Sequence, residues 1–238
     1  DAARRVDGTL AGLRRAGVLA IMRTQCPPQA AVRRAKELAD MGCRAIEVTH
    51  DSTSWPVVLA QMRQALPPSV LVGVGTVMDD TVCDIALAAH LGATFALSPV
   101  DPVGFVEECH RRGVLAIPSG QTSNECWHLH RKGARLIKLF HAGAVGHETL
   151  KAWMGIAPLR TMNILPSGGI SPASAEAWWD AGACVLGMGS NLVGKDVSLE
   201  PGAAEHAAAV RSWEAKGRAV ANALFSRAAR RFGPLPIA

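Results

Sequence analysis

The chain has 238 residues, of which 49% are hydrophobic and 19% are charged, and its formal net charge at pH 7 is +5. No apolar run reaches the roughly 20 residues that a membrane-spanning helix needs, so we expect no membrane insertion. No linker and no long run of like charge divides the sequence, and we therefore expect one domain over residues 1–238.

Much of the positive charge lies near the two ends of the chain. The basic residues concerned are Arg4, Arg5, Arg14, Arg15, Arg227, Arg230 and Arg231. Aromatic residues make up only 5% and no nucleic-acid-binding motif occurs, which favours solvated helix faces over a nucleic-acid partner. We therefore expect a helix at about 1–16 and a basic helical segment at about 205–232, on a protein whose charge suits small anionic substrates.

Six cysteines are spread along the chain without a CxxC motif or another paired spacing. This pattern is typical of reduced thiols that act as small buried residues, and it argues against disulfides or a zinc site. We expect no metal, and a reducing compartment that is either the cytoplasm or an organelle matrix such as the plastid stroma. Because the chain begins with Asp1 rather than methionine, we also expect that an amino-terminal segment either has been removed or is left out of the given sequence.

Eight short apolar runs predict β-strands, and they recur about every 20 to 27 residues. They lie at 18–21, 45–48, 70–74, 94–97, 114–117, 136–139, 162–165 and 184–188. Helical patterns occupy gaps between them, at 30–41, 55–65, 82–90 and 174–181. Because the runs are apolar throughout, each strand is expected to be buried on both faces, as in parallel sheets with helical crossovers. Eight such units predict an α/β protein with a (β/α)8 TIM barrel.

Lys138 lies in the otherwise apolar run 136–140, at the end of the sixth predicted strand. Active sites of (β/α)8 barrels form at the carboxyl ends of the strands. Burial disfavours the ammonium form, so a lysine here can lose its proton below the usual pKa of ~10.4 and act as a nucleophile. The alternative is a strand-end lysine whose amine reaches solvent.

Glu47 lies between aliphatic residues in the second predicted strand, so its side chain is expected to point into the barrel. A carboxylate that faces Lys138 there can transfer protons as a general acid/base. The alternative is a structural Glu–Lys pair.

Glycines and serines follow the last two predicted strands. They are Ser167, Gly168 and Gly169 after the seventh strand, and Gly189 and Ser190 after the eighth. Glycines at these ends let backbone N–H groups approach a phosphate, so we expect a phosphorylated ligand. Plain turns would give the same residues.

Six short motifs occur in order along the chain. They are 47–49 (EVT), 73–77 (GVGTV), 96–99 (ALSP), 137–140 (IKLF), 167–172 (SGGISP) and 189–190 (GS). In order and spacing they resemble the class I 2-keto-3-deoxy-6-phosphogluconate (KDPG) and 4-hydroxy-2-oxoglutarate aldolases. The resemblance runs from Gly17 to about Val193.

The resemblance implies a trimeric aldolase that needs no metal or cofactor and acts on a small anionic 2-oxo acid. Lys138 matches the lysine that forms a Schiff base, and Glu47 matches the general acid/base. The other matching residues are Thr76 and Phe140 at the pyruvyl end, Pro99 at the barrel mouth, and Ser167, Gly168, Gly169 and Ser190 at the phosphate site. The implied reaction cleaves a KDPG-like acid to pyruvate and an aldehyde.

Asp51 departs from the family pattern, in which an arginine commonly stands four positions after the catalytic glutamate. A negative charge there would repel the carboxylate of a 2-oxo acid, and we expect Arg23, after the first strand, to supply the missing cation. His50 and His141 also stand at altered positions. They are either new acid/base or substrate-binding groups or solvated rim residues.

Two other functions stay open. Barrels that isomerise or condense phosphorylated sugars share the Gly-Gly pair after the seventh strand, but they do not need Lys138. Asp51 favours a catalytically altered barrel that is a binding or structural subunit of a larger complex. The carboxyl-terminal segment with Trp213 and Phe225 would then be a docking helix, or would simply cap the barrel. The pair 178–179, two tryptophans, is predicted to lie at a surface or subunit contact.

Overall fold

A computed structural model gives the fold of residues 1–233, and the last five residues of the expected 1–238 domain lie outside the described part. All eight predicted strands are present, each within two residues of its predicted bounds apart from a short second segment of the fifth. They are β1 (Val18–Met22), β2 (Ala45–Thr49), β3 (Leu71–Gly75), β4 (Phe95–Leu97), β5 (Leu115–Ile117 and Ser119–Gly120), β6 (Ile137–Leu139), β7 (Ile164–Pro166) and β8 (Leu186–Met188).

Helices connect the strands, and the four helical patterns predicted from the sequence all correspond to helices. The α-helices are α1 (Ala2–Ala16), α2 (Pro28–Asp40), α3 (Trp55–Ala65), α4 (Ile85–His90), α5 (Phe105–Arg111), α6 (Ser123–Arg131), α7 (Ala142–Val145), α8 (His147–Gly155), α9 (Ala175–Asp180), α10 (Ser190–Val193), α11 (His206–Ser212) and α12 (Arg218–Phe232). Short 3-10 turns lie at Asp79–Asp84, Leu159–Thr161 and Asp196–Ser198, and a π-helical turn at Trp213–Gly217 joins α11 to α12.

The strand pairs of the described residues are all parallel, which confirms the predicted α/β class, and they form two sheets. The larger sheet has the order β5-β4-β3-β2-β1-β8, and the smaller has the order β5-β6-β7. Both contain β5, whose two segments lie on either side of Pro118, a residue without an N–H for the ladder. One parallel bridge between Ser167 and Gly187 links the end of β7 to β8.

Two apolar clusters lie on opposite faces of the strands. In β4, Phe95 and Leu97 belong to an inner cluster that also contains Leu13 of α1, whereas Ala96 between them packs toward the surrounding helices. Because side chains alternate between the two faces of a strand, helix α1 covers the amino ends of the inner face and polar residues can occupy its carboxyl ends.

The same alternation fixes the direction of the two candidate catalytic side chains. Ala45 of β2 and Leu136, just before β6, belong to the inner cluster, so Glu47 and Lys138, two residues farther on, lie on the inner face as well. The predicted inward direction of Glu47 is therefore confirmed.

The carboxyl-terminal helices pack onto the rest of the chain. Trp213 and Phe225 are each only 4% exposed, so a docking helix that offers them to a partner is wrong, and the segment caps the fold instead. Trp178 and Trp179 are each 3% exposed, so their predicted surface or subunit contact is also wrong. The Trp179 indole donates a hydrogen bond of 3.2 Å to the carbonyl of Gly17. The surface prediction failed because α12 of the same chain covers α9.

Four of the six cysteines, at 26, 43, 109 and 126, are buried, as expected for small apolar residues, whereas Cys83 is exposed. Within residues 1–233, no helix combines the length and the apolar character needed to cross a membrane.

Candidate active site

A cavity of about 300 Å³ opens at the carboxyl ends of the strands. Its wall contains all eleven site residues predicted from the sequence: Arg23, Glu47, Thr76, Pro99, Lys138, Phe140, Ser167, Gly168, Gly169, Gly189 and Ser190. The structure therefore brings together residues that come from seven different strand ends.

Lys138 is 6% exposed, so its amine does not lie in open solvent. Burial lowers the pKa of Lys138 below its ordinary value, the Glu47 carboxylate opposes this change, and the Arg23 guanidinium adds to it. The Nζ atom lies 4.7 Å from the centre of the Phe140 ring, and the ring face supplies a weak attraction for the protonated amine. A larger fraction of Lys138 is consequently present as the nucleophilic free amine at neutral pH.

Glu47 is 1% exposed, and its Oε2 atom has no hydrogen-bond partner within residues 1–233. Burial raises the pKa of Glu47 from 4.5 to about 7, against the opposing effects of Lys138 and Arg23, and Asp51 adds to the rise. A carboxyl group with this pKa exchanges protons readily near neutrality. Glu47 and Lys138 form no direct ion pair in the described part of the chain, which disfavours a purely structural pair.

Gly75, at the end of β3, leaves the space that the Glu47 side chain occupies. A Cβ atom on Gly75 would collide with the carboxyl group of Glu47. In the sequence, Gly75 was notable only as part of the family motif at 73–77. The structure shows why a residue without a side chain is needed there.

Arg23 lies at the rim of the cavity beside Thr76. Its Nε lies 2.9 Å from Asp51 Oδ2, and its Nη2 donates a hydrogen bond of 3.3 Å to Thr76 Oγ1. Thr76 adopts a positive φ of 59°, which turns it at the strand end into the cavity wall. The carboxylate of Asp51 is thus paired with a cation, which reduces the repulsion that the sequence predicted.

The glycines after β7 have left-handed backbone conformations. Gly168 and Gly169 have φ values of 83° and 80°, and the Ser167 and Gly168 carbonyls accept hydrogen bonds of 2.8 Å from the N–H groups of Ala142 and Gly143. These bonds connect the turn to the first residues of α7. Ser190 is exposed at the first position of α10 on the same side of the cavity.

The two histidines at altered positions take different places, and neither lines the cavity within the described residues. His50 is turned toward Asp84, with 2.8 Å between Nε2 and Oδ2, and its ring lies 4.9 Å from that of Trp55. His141 is exposed, and its ring lies against Gly168 and Gly169. His141 therefore fits the alternative of a solvated rim residue, whereas His50 is held by Asp84 outside the cavity and is only 19% exposed as a side chain.

Five other wall residues were not predicted as site residues, and they are Ile21, Thr49, Ile170, Gly187 and Asn191. Asn191 donates a hydrogen bond of 3.3 Å to the carbonyl of Ile170 and so links α10 to the turn after β7. Its place next to Ser190 was the signal that could have identified it.

A family model and a curated relative indicate the same family. Residues 10–207 match the family model described as KDPG and KHG aldolase. The chain is 26% identical over 196 residues to 2-dehydro-3-deoxy-6-phosphogalactonate aldolase from Escherichia coli K12, an alignment that covers 82% of this chain and 94% of that protein.

Solved structures show the same fold at low identity. A native KDPGal structure matches with a TM-score of 0.73 and 23% identity, over 90% of this chain and 95% of that one. A KDPG aldolase from Legionella pneumophila, with pyruvate captured as a covalent carbinolamine, matches with a TM-score of 0.70 and 21% identity, over 92% of this chain and 97% of that one.

Proposed function

This chain belongs to the KDPG and KHG aldolase family and is a Schiff-base aldolase, and we propose that Lys138 is its imine-forming residue and Glu47 its general acid/base. The proposed substrate is a KDPG-like 2-oxo acid, which would be cleaved to pyruvate and an aldehyde. The observation that carries the assignment is that a buried amine of lowered pKa and a buried carboxyl group of raised pKa share one cavity.

The chemistry would proceed through an imine on Lys138. The neutral amine attacks the C2 carbonyl carbon of the substrate, and the carbinolamine takes up one proton and loses water to give the protonated imine. Glu47 removes the proton of the C4 hydroxyl group as the C3–C4 bond breaks, and the bonding electrons pass into the imine to form an enamine. Return of a proton to C3 and addition of water to the imine then release pyruvate and the free amine.

Two sets of wall residues would orient the substrate. Arg23 and Thr76 are proposed to bind the carboxylate, beside Pro99 and Phe140, which would contact the pyruvyl carbons. The proposed phosphate site consists of Ser167, Gly168, Gly169, Gly189 and Ser190.

We also propose that the two sheets form one closed (β/α)8 barrel. The presence of β5 in both sheets supports this, as do the Ser167–Gly187 bridge and the separate inner cluster over α1. The single domain, a homotrimeric assembly and a reducing compartment are further proposals, which rest on the family resemblance and on the lack of paired cysteine spacing. Membership of the aldolase family does not favour the alternative of an altered barrel in a larger complex.

Reductive trapping tests the proposed function. Pyruvate with sodium borohydride should attach a reduced pyruvyl group to Lys138, which peptide mass spectrometry would locate. Lys138→Met should not be labelled, whereas Lys151→Met, a change in helix α8, should be labelled as the wild type is. Labelling of another lysine, or of none, would contradict the assignment, and phosphorylated-sugar isomerases would give no label.

A further inference from the structure

Asp51 lies behind Arg23 rather than in the substrate cavity. The cavity wall within residues 1–233 includes Arg23 and Thr76 but not Asp51. The carboxylate of Asp51 contacts Arg23 Nε through both oxygens, at 3.2 Å to Oδ1 and 2.9 Å to Oδ2. Because Asp51 contacts Arg23 and only Arg23 lines the cavity, an effect of Asp51 on a bound substrate would pass through Arg23.

The hydrogen bonds of Arg23 leave part of its guanidinium free for a ligand. In the described part of the chain, Nε donates to Asp51 and Nη2 donates to Thr76, and no protein acceptor binds Nη1. A guanidinium offers five N–H donors in a fixed plane, so two bonds at one edge fix the direction of the others. Arg23 is 54% exposed as a side chain, and without these bonds it would sample several rotamers.

We propose that Asp51 is a positioning residue, which holds Arg23 with its free Nη1 edge toward the cavity so that it binds the carboxylate of the 2-oxo acid. This inference rests on the proposed function. Asp51 then supports carboxylate binding instead of opposing it. The cation that binds the carboxylate is Arg23, after β1, and not an arginine after β2 as is common in the family. The preferred substrates are 2-oxo acids whose carboxylate can accept two parallel hydrogen bonds from one guanidinium.

A second ion pair of similar exposure provides a control that distinguishes a positioning role of Asp51 from a contribution to folding stability. Asp7 and Arg135 lie 2.7 Å apart with 55% and 52% of their side chains exposed, close to the 48% and 54% of Asp51 and Arg23. Ion pairs this exposed contribute little to folding stability. Loss of either pair should leave the thermal unfolding midpoint nearly unchanged, and only loss of Asp51 should weaken the binding of pyruvate.

The experiment measures the rate of borohydride trapping at Lys138 against pyruvate concentration. For Asp51→Ala we expect the half-saturating concentration to rise about fivefold or more, with a maximal rate within about twofold of the wild type. Asp51→Asn keeps an acceptor for Nε and should recover most of the affinity. The Asp51→Arg variant should bind pyruvate more weakly, because the new arginine repels Arg23. The Asp7→Ala variant should have the same half-saturating concentration as the wild type.

A double variant gives the decisive comparison. In an Arg23→Ala background, Asp51→Ala should cause no further rise in the half-saturating concentration, because the residue through which it acts is gone. A wild type that is not trapped at Lys138 would contradict the proposed function and this inference together. Trapping in the wild type, with an unchanged or lower half-saturating concentration in Asp51→Ala, would overturn the positioning role alone.

Discussion

The carboxyl group of Glu47 occupies the space that a side chain at position 75 would need, because a Cβ atom on Gly75 would collide with it. The colliding atoms are at the far end of a flexible side chain, so the carboxyl group can move while the backbone stays in place. The position of the Glu47 carboxyl group therefore depends on the glycine at the end of β3.

Gly75→Ala should impair proton transfer with little effect on folding. We expect exchange of the pyruvate methyl protons with solvent deuterium to slow by about 10²-fold, as general acid/base catalysis is lost. NMR measures the exchange and thermal denaturation measures the fold. The control is Gly8→Ala in α1, where a Cβ would meet nothing within 4 Å. Normal exchange in Gly75→Ala would show that the displaced carboxyl group is not required.

Glu47→Gln tests the acid/base role directly. The amide fills nearly the same space but cannot carry the proton, so methyl exchange should slow by about 10²-fold or more while borohydride trapping at Lys138 continues. Glu148→Gln is the control, since Glu148 is 75% exposed as a side chain and lies in α8. Unchanged exchange would remove Glu47 from the mechanism.

The sequence predicted the site largely because parallel strands place their carboxyl ends at one edge. Glu47 and Lys138 could be predicted from their place within apolar runs, and Ser190 from its place after one, without knowledge of distant contacts. The pairing of Asp51 with Arg23 could not, because it depends on how closely the ends of β1 and β2 approach each other.

Burial of Trp178 and Trp179 also could not be predicted from the sequence. The apolar period of a short helix such as α9 identifies a covered face but not the element that covers it. Trp178 and Trp179 are buried because α8 and α12 pack over α9, and α12 is more than 35 residues away along the chain.

The proposed phosphate site can be tested separately from imine chemistry. Ser190→Ala should raise the KM for a KDPG-like phosphorylated substrate by about tenfold, the effect of one hydrogen bond to a charged group. Pyruvate methyl exchange should be unchanged, because pyruvate carries no phosphate. Equal loss in both assays would indicate damage to the Lys138 region instead.

Imine formation should depend on pH through the lowered pKa of Lys138. The rate of trapping should rise with pH and level off below the ordinary lysine pKa of 10.5, because burial favours the neutral amine. The Glu47 carboxylate opposes that shift, so Glu47→Gln should move the midpoint to lower pH. A midpoint near 10.5 in the wild type, measured from initial trapping rates, would contradict a buried nucleophile.

The raised pKa of Glu47 should make the folded protein less stable as the pH rises. Between pH 4.5 and about 7 the folded state holds a proton on Glu47 that the unfolded chain has released, so its contribution is most favourable below pH 4.5 and is lost as the pH passes about 7. The full difference corresponds to about 3 kcal/mol. Glu47→Gln should therefore increase the free energy of unfolding by up to that amount at pH 8 and leave it nearly unchanged at pH 4. Urea denaturation at the two pH values measures this, with Glu148→Gln as the control. A variant that is equally or less stable than the wild type at pH 8 would mean that the Glu47 carboxylate is stabilised in the folded state, and so is not kept ready to accept and return a proton.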